Sequence, residues 1–199
     1  MNYLYTVGYS CFTVEEFFEA LKKYEITALV DVRSQPFSKY KPEFNKDNLK
    51  LVLKNSGIEY VFLGKELGAR TDAPECKING KVSYYKLAEH KDFKDGLQRV
   101  RNGMEKFQIA IMCAEKDPIT CHRTILIARN IKSENLLIKH ILENGELEEH
   151  SESETRLLKL CKLEQEDFFK TYEDRLKEAY EVQGNKIAYA EEIESEEWN

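Results

Sequence analysis

The sequence predicts an α/β fold, with a mainly parallel sheet flanked by helices on both faces and a C-terminal helical extension. Three observations carry this. Short apolar or β-branched runs alternate with segments of helical period, the order that builds βαβ units. The run Ile26–Val32 is apolar on both faces apart from Asp31, as a buried parallel strand should be. And 199 residues with 42% hydrophobic content suffice for one well-buried core with an appendage.

The elements follow in chain order. Tyr3–Gly8 reads as a strand, broken by Gly8-Tyr9-Ser10. Thr13 and Glu16 have capping-box spacing, and Phe17, Phe18 and Leu21 make the apolar stripe of a helix up to Tyr24. The strand Ile26–Val32 leads into a loop, Arg33–Phe44, that holds Pro36 and Pro42. Asn45 or Asp47 caps a helix through Asn55, which Gly57 ends. Ile58–Leu63 is a third strand. Residues 69–82 show no period and contain Pro74 and Gly80, so they read as a long excursion. Ser83–Glu105 is helical, broken around His90-Lys91-Asp92. Phe107–Glu115 is a fourth strand with Cys121–Lys132 as its crossover helix, and Leu136–Leu142 is a fifth before the turn Glu143-Asn144-Gly145.

From Ser151 the composition shifts to charged helix formers, with Leu157, Leu160 and Leu163, then Phe168, Tyr172, Leu176 and Tyr180, at helical spacing. We therefore divide the chain into an α/β domain, 1–150, and an acidic helical extension, 151–199. Charge follows the same division. Residues 32–86 hold 11 Lys/Arg against 6 Asp/Glu, whereas residues 141–199 hold 7 against 18. A basic body attracts phosphates or carboxylates, and an acidic tail repels or shields them. No apolar run approaches the length of a membrane span, and no signal peptide precedes Tyr3, so a cytoplasmic location is expected. The five cysteines (11, 76, 113, 121 and 161) are odd in number and widely spaced, which fits reduced thiols in a reducing compartment.

In a parallel sheet ligands bind beyond the carboxyl ends of the strands. Gly8, Tyr9 and Ser10, Asp31 and Arg33, Gly64, and Cys113 with Glu115 all fall there. The richest segment is Ile109–Arg129, read as strand, loop and helix start. With Thr120 as cap, Cys121, His122 and Arg123 occupy the first helical turn, where free N–H groups and the helix dipole favour an anion. Arg123 and Arg33 would hold that anion, with Cys113 beside it. A cysteine at such a position is activated, so Cys121 or His122 would do the chemistry. Glu115 and Asp31 would orient groups or transfer protons. Ser38, Lys39 and Tyr40 of the Arg33–Phe44 loop, with Gly68 and Arg70, would complete the ligand-binding rim. The spacings of Cys113 and Cys121 to Arg123 do not match the phosphate-wrapping loops of cysteine phosphatases or sulfurtransferases. No metal site is expected. There is no C-x-x-C or H-x-x-x-H pair, and adjacent Cys and His in one helical turn point about 100° apart.

Several short patterns line up: Gly8-Tyr9-Ser10; Asp31-Val32-Arg33 with Pro36 and Ser38; Phe44; Leu63-Gly64 with Leu67-Gly68; Met112-Cys113-Ala114-Glu115 with Asp117-Pro118 and Cys121-His122-Arg123; and His140-Ile141 with Gly145. Over roughly residues 3–145 the chain resembles the bacterial and archaeal family catalogued as domain of unknown function 488. The resemblance implies a cytoplasmic α/β domain with a site built from these motifs, and no agreed reaction, cofactor or partner. Ala69 stands where the family often has a second glycine.

The leading expectation is an enzyme-like pocket for a small phosphate- or carboxylate-bearing ligand, of which a nucleotide is one example. Two alternatives are a nucleic-acid-binding or DNA-maintenance module using the basic body and the aromatic loop, in which Phe37, Tyr40 and Phe44 stack on bases, and a non-catalytic interaction protein using the acidic helices. No membrane partner is expected. The cofactor and the oligomeric state stay open at this level.

Overall fold

The predicted strands form in the computed structural model, whose described residues are 2–166 and 168–191. They are β1 (Asn2–Gly8), β2 (Ala28–Asp31), β3 (Glu59–Phe62), β6 (Ile109–Cys113) and β7 (Leu136–Ile141). A sixth, β8 (Leu147–Glu149), is short and acidic and gave no signal in the sequence; Gly145, at φ 72°, turns the chain back to pair it with β7. The sheet order is β3-β2-β6-β1-β7-β8, parallel throughout except for this antiparallel edge.

The helices cover both faces. On one, α1 (Val14–Lys23) and α2 (Lys46–Asn55) bring Phe17, Leu21, Leu49 and Leu53 onto Val7, Leu29 and Met112. On the other, α3 (Tyr84–Glu89), α4 (Lys91–Met104) and α5 (Arg129–Ile131) bring Leu87, Phe93, Leu97 and Ile131 onto Leu4, Val30 and Ile111. The predicted capping box of α1 is present: the Thr13 hydroxyl accepts from the Glu16 N–H and the Glu16 carboxylate from the Thr13 N–H. Truncating such a cap costs about 0.5–2 kcal/mol. The break at His90 is also present, with that residue's ring capping α4.

This arrangement fixes where a site can be. The connection leaving β1 runs through α1 on the first face, and the connection leaving β6 runs through α5 on the second. Because β1 and β6 are neighbours, their carboxyl ends splay apart at a topological switch point, where open α/β sheets bind ligands.

The excursion 69–82 is more ordered than its lack of period suggests. It carries a two-stranded hairpin, β4 (Lys77–Ile78) and β5 (Lys81–Val82), with Asn79 and Gly80 at positive φ, and buries Cys76. The acidic extension packs on the body: α6 (His150–Leu160) and α7 (Tyr172–Ile187) enclose Leu157, Leu158, Ala179 and Tyr180 against Ile119 and Ile125. The composition shift at Ser151 therefore falls one residue inside α6. The acidic residues from 192 onward lie outside the described residues.

A buried polar chain fastens this extension. Thr6 Oγ1 lies 2.8 Å from His140 Nδ1, His140 Nε2 3.0 Å from His150 Nδ1, and His150 Nε2 3.2 Å from the Tyr180 hydroxyl, which donates to Glu154 at 3.1 Å. Every link is satisfied with both imidazoles neutral and protonated on Nε2, so a proton added at His150 Nδ1 would face the His140 Nε2 donor. Burial holds His150 down to about 4 from the ordinary 6.5, and burial beside His150 holds His140 well below its ordinary value. A histidine depressed in the folded state contributes stability that is present above its unfolded pKa and lost as pH falls through its folded one. Urea denaturation should therefore show stability dropping between about pH 6.5 and about pH 4, by roughly 3 kcal/mol from His150. His150→Gln should flatten that slope, and an equal slope in both proteins would refute the assignment.

Candidate functional site

The site grows from the carboxyl ends of β1, β2 and β6. Gly8 ends β1 in register with Cys113. A β-carbon at Gly8 would overlap the Glu115 carbonyl, so glycine lets the 114–116 loop fold back over the strand. Ser10 N–H ties that loop down by donating to the Ala114 carbonyl at 3.0 Å. Gly64 plays the same part for the second loop, where a β-carbon would meet the Arg33 carbonyl; Gly68 packs against Gly64 and Ser34. Gly8, Gly64 and Gly68 thus shape the site by close approach of backbone.

A cleft of about 230 Å³ opens between these loops, lined by Tyr9, Arg33, Gln35, Arg70, Cys113, Glu115 and His122 among others. Cys113 Sγ in that lining and the buried Cys121 Sγ both lie within hydrogen-bond distance of one oxygen, Glu115 Oε2, at 3.0 and 2.9 Å. His122 Nδ1 lies 3.5 Å from Cys113 Sγ and 3.9 Å from Cys121 Sγ, while its Nε2 meets the Val32 carbonyl at 3.2 Å. That second bond places the ring proton on Nε2 and leaves the Nδ1 lone pair facing the thiols. Cys113, Cys121 and His122 are buried, and Glu115 is exposed at the mouth. One ligand atom from each of the four lies within 4.8 Å of the others.

This convergence corrects two expectations. Cys121 does not lie in the first helical turn. It is extended (φ −127°, ψ 144°), following a single turn over Pro118–Thr120, and the helix begins as a π-turn at Arg123 with His122 as its cap. The expected divergence of Cys121 and His122 required both to be helical, so it does not apply, and the reason for expecting no metal-type cluster falls with it. All five cysteines are unpaired.

Burial pushes the Cys121 thiol up, but the Cys113 hydrogen bond, the Arg123 charge and His122 more than offset it and hold it well below the ordinary thiol range. Hydrogen bonding to Cys121, with burial, holds Cys113 well above that range. Burial and the charge of Cys121 raise Glu115. His122 is pushed down by burial but raised overall by Cys121 and Glu115.

The two arginines do not meet in one anion clamp. Arg123 has 0% exposure, and its donors go to the carbonyls of Glu115 and Lys116 (3.0 Å for the latter) and to Thr6 Oγ1 at 3.3 Å. It is a strut under the 115–116 loop. Arg33 makes a two-point contact with Asp31, Nε to Oδ1 at 2.9 Å and Nη2 to Oδ2 at 2.6 Å, stacks on Tyr9, and leaves Nη1 without a partner among the described residues. Asp31 is buried against Arg33 and the Tyr60 hydroxyl (2.7 Å), so it does not face Glu115. Tyr60 had no signal in the sequence, because its partner is chosen by strand pairing. Arg70 is exposed at the rim, within 3.2 Å of Gln35. Ser38 shapes its own loop by accepting from the N–H groups of Tyr40 and Lys41, and Lys39 and Tyr40 are exposed outside the cleft lining.

Removing one partner of a buried ion pair leaves an uncompensated charge. Asp31→Ala should cost roughly 3–5 kcal/mol in denaturant unfolding, and Asp31→Ala/Arg33→Met should recover much of it. Equal losses in the two variants would mean that the pairing is not what matters.

No helix among the described residues is long and apolar enough to cross a membrane. No curated protein and no solved structure gives a significant match to the chain. Residues 13–130, which include the Arg33 loop, the thiol cluster and the crossover helix, match the family described as Domain of unknown function DUF488, and the chain belongs to that family.

Proposed function

We propose that the cleft at the switch point is an enzyme site for a small anionic ligand, with Arg33 and Arg70 as its holding end and Cys113, Glu115, Cys121 and His122 as its reacting end. The observation that carries this reading is the Arg33 Nη1, buried and without a partner among the described residues, in a residue that lines the same cleft as Cys113, Glu115 and His122. Asp31 and Tyr60 position that guanidinium. Arg70, stacked on the Tyr189 ring and bonded to Gln35, is exposed at the rim and has no carboxylate partner among the described residues. The cleft volume of about 230 Å³ suits a phosphate or carboxylate group with a small attached fragment, below the roughly 300 Å³ at which pockets for drug-sized ligands begin. In a nucleotide, only the phosphate end would enter. Unpaired thiols near one another fit a reducing compartment such as the cytoplasm.

Titration with inorganic phosphate and with a nucleoside monophosphate, followed by amide chemical shifts, tests the reading. Shifts should cluster at residues 9, 33–37, 70 and 113–115. Arg70→Ala should weaken binding by about 10–100-fold, the equivalent of one charge-assisted hydrogen bond. Shifts that are absent, or unaffected by Arg70→Ala, would sink it.

One observation favours a second reading. Tyr40 is 97% and Phe37 66% exposed on the basic loop, while Phe44 is fully buried, which supports Phe37 and Tyr40 as stacking platforms for single-stranded nucleic acid. Binding to an oligonucleotide should then weaken steeply with salt and lose about 1–3 kcal/mol in Tyr40→Ala. No binding at low salt removes this reading.

A further inference from the structure

We propose that Cys113 Sγ, Cys121 Sγ and His122 Nδ1 hold a divalent transition-metal ion of the zinc class at the floor of the cleft, with Glu115 on the fourth, exchangeable position. This rests on the reading of the cluster as the reacting end of the cleft and says what that end is made of.

Distances come first. A tetrahedral ion with metal–sulfur bonds of about 2.3 Å and metal–nitrogen bonds of about 2.0 Å needs ligand atoms roughly 3.3–3.8 Å apart. The His122 Nδ1 to sulfur distances, 3.5 and 3.9 Å, lie within and just above that spacing. The carboxylate oxygen sits closer to the sulfurs, at 3.0 and 2.9 Å, as a hydrogen-bond acceptor does. Glu115 is also the exposed member, so it is the one free to move outward by the required half ångström or so.

The surroundings are those of a metal ligand set. The bond from His122 Nε2 to the Val32 carbonyl is the contact that orients a ligating imidazole, fixing its tautomer and turning Nδ1 to the ion. Cys113 is the last residue of β6, in the middle of the sheet, and His122 caps the crossover helix, so both are held by rigid elements. Two soft sulfurs and an imidazole select zinc, cobalt or ferrous iron over magnesium or calcium. Three buried donors with one open side facing a cleft is the layout of a site that works on a ligand rather than one that only braces the fold.

Binding displaces to solvent the protons that the two sulfurs share with Glu115 and His122. Two thiolates then balance the 2+ ion, and the Glu115 carboxylate adds one negative charge in a cleft that Arg33 also lines. The electrophile so placed faces the position where Arg33 and Arg70 would hold an anion.

The test uses the full chain, stripped with chelator under reducing conditions and titrated with Co²⁺ alone. Thiolate-to-cobalt charge-transfer bands and intense visible bands of four-coordinate cobalt should saturate at one ion per chain and vanish on addition of Zn²⁺. Cys113→Ser and Cys121→Ser should each diminish the charge-transfer band and weaken cobalt binding more than the 10–100-fold expected from loss of a merely supporting contact. His122→Asn should abolish the four-coordinate spectrum. Cys11→Ser, whose thiol lies outside the cluster, should change nothing, with folding of each variant checked by circular dichroism. No charge-transfer band at millimolar cobalt, or a band indifferent to both cysteine variants, overturns the proposal. Phosphate then separates the two readings. Cobalt bands with no phosphate response uphold the metal and count against the anion pocket, whereas phosphate binding without cobalt bands overturns the metal and leaves the pocket.

Discussion

Arg123 is the constraint on which the site depends. A guanidinium with no exposure to water has an effective desolvation penalty of several kcal/mol, and Arg123 has no carboxylate among the described residues to offset it. It relies on acceptors instead: two successive carbonyls, Glu115 and Lys116, and the Thr6 hydroxyl on β1. Meeting that demand bends the 115–116 loop back over the end of β1, which in turn requires glycine at position 8. The same bend sets Glu115 beside Cys113 and Cys121. The cluster is thus assembled around a charge that must be satisfied, and Arg33 solves the same problem differently, by pairing with Asp31.

The effect of this strut extends beyond the cleft. Thr6 Oγ1, which accepts from Arg123, also meets His140, and from there the buried chain runs through His150 and Tyr180 to Glu154, which pairs with Lys132. Gln183 of α7 adds a bond to the Ile119 carbonyl, in the turn that precedes Cys121, and Arg156 of α6 pairs with Asp117 at the start of that turn. The acidic helices therefore brace the loop that delivers Cys121 and His122. Their charge is largely on the outer face, while their inner face is tied into the site's own hydrogen bonds.

Sequence legibility follows the range of the interaction. The capping box at Thr13, the break at His90 and the turn at Gly145 depend on residues within three or four positions, and each was readable. So were the five principal strands, because burial on both faces leaves an apolar run that needs no partner to be recognised. The edge strand Leu147–Glu149 was not, since a short edge with one wet face carries little apolar signal. Cys113, Glu115, Cys121 and His122 could be named as chemically capable residues, and their position at one sheet edge followed from strand order. Their mutual geometry could not, because it turns on the extended backbone of Cys121, which helical periodicity ran straight through.

By itself the sequence determined the class of fold, the alternation of its elements and the edge at which reactive side chains collect, all properties of local pattern and short-range sterics. Only the tertiary structure decided what each charged or sulfur-bearing side chain does there. Arg33 and Arg123 look alike as residues following strand or loop signals, yet one lines a cleft and the other is sealed beneath it. Their partners lie on other segments, the most distant of them, Thr6, 117 positions from Arg123 along the chain. Whether a buried charge meets a carboxylate, a carbonyl or an open cleft depends on which segments the sheet brings side by side, and pairing across that distance leaves no periodic trace in the chain.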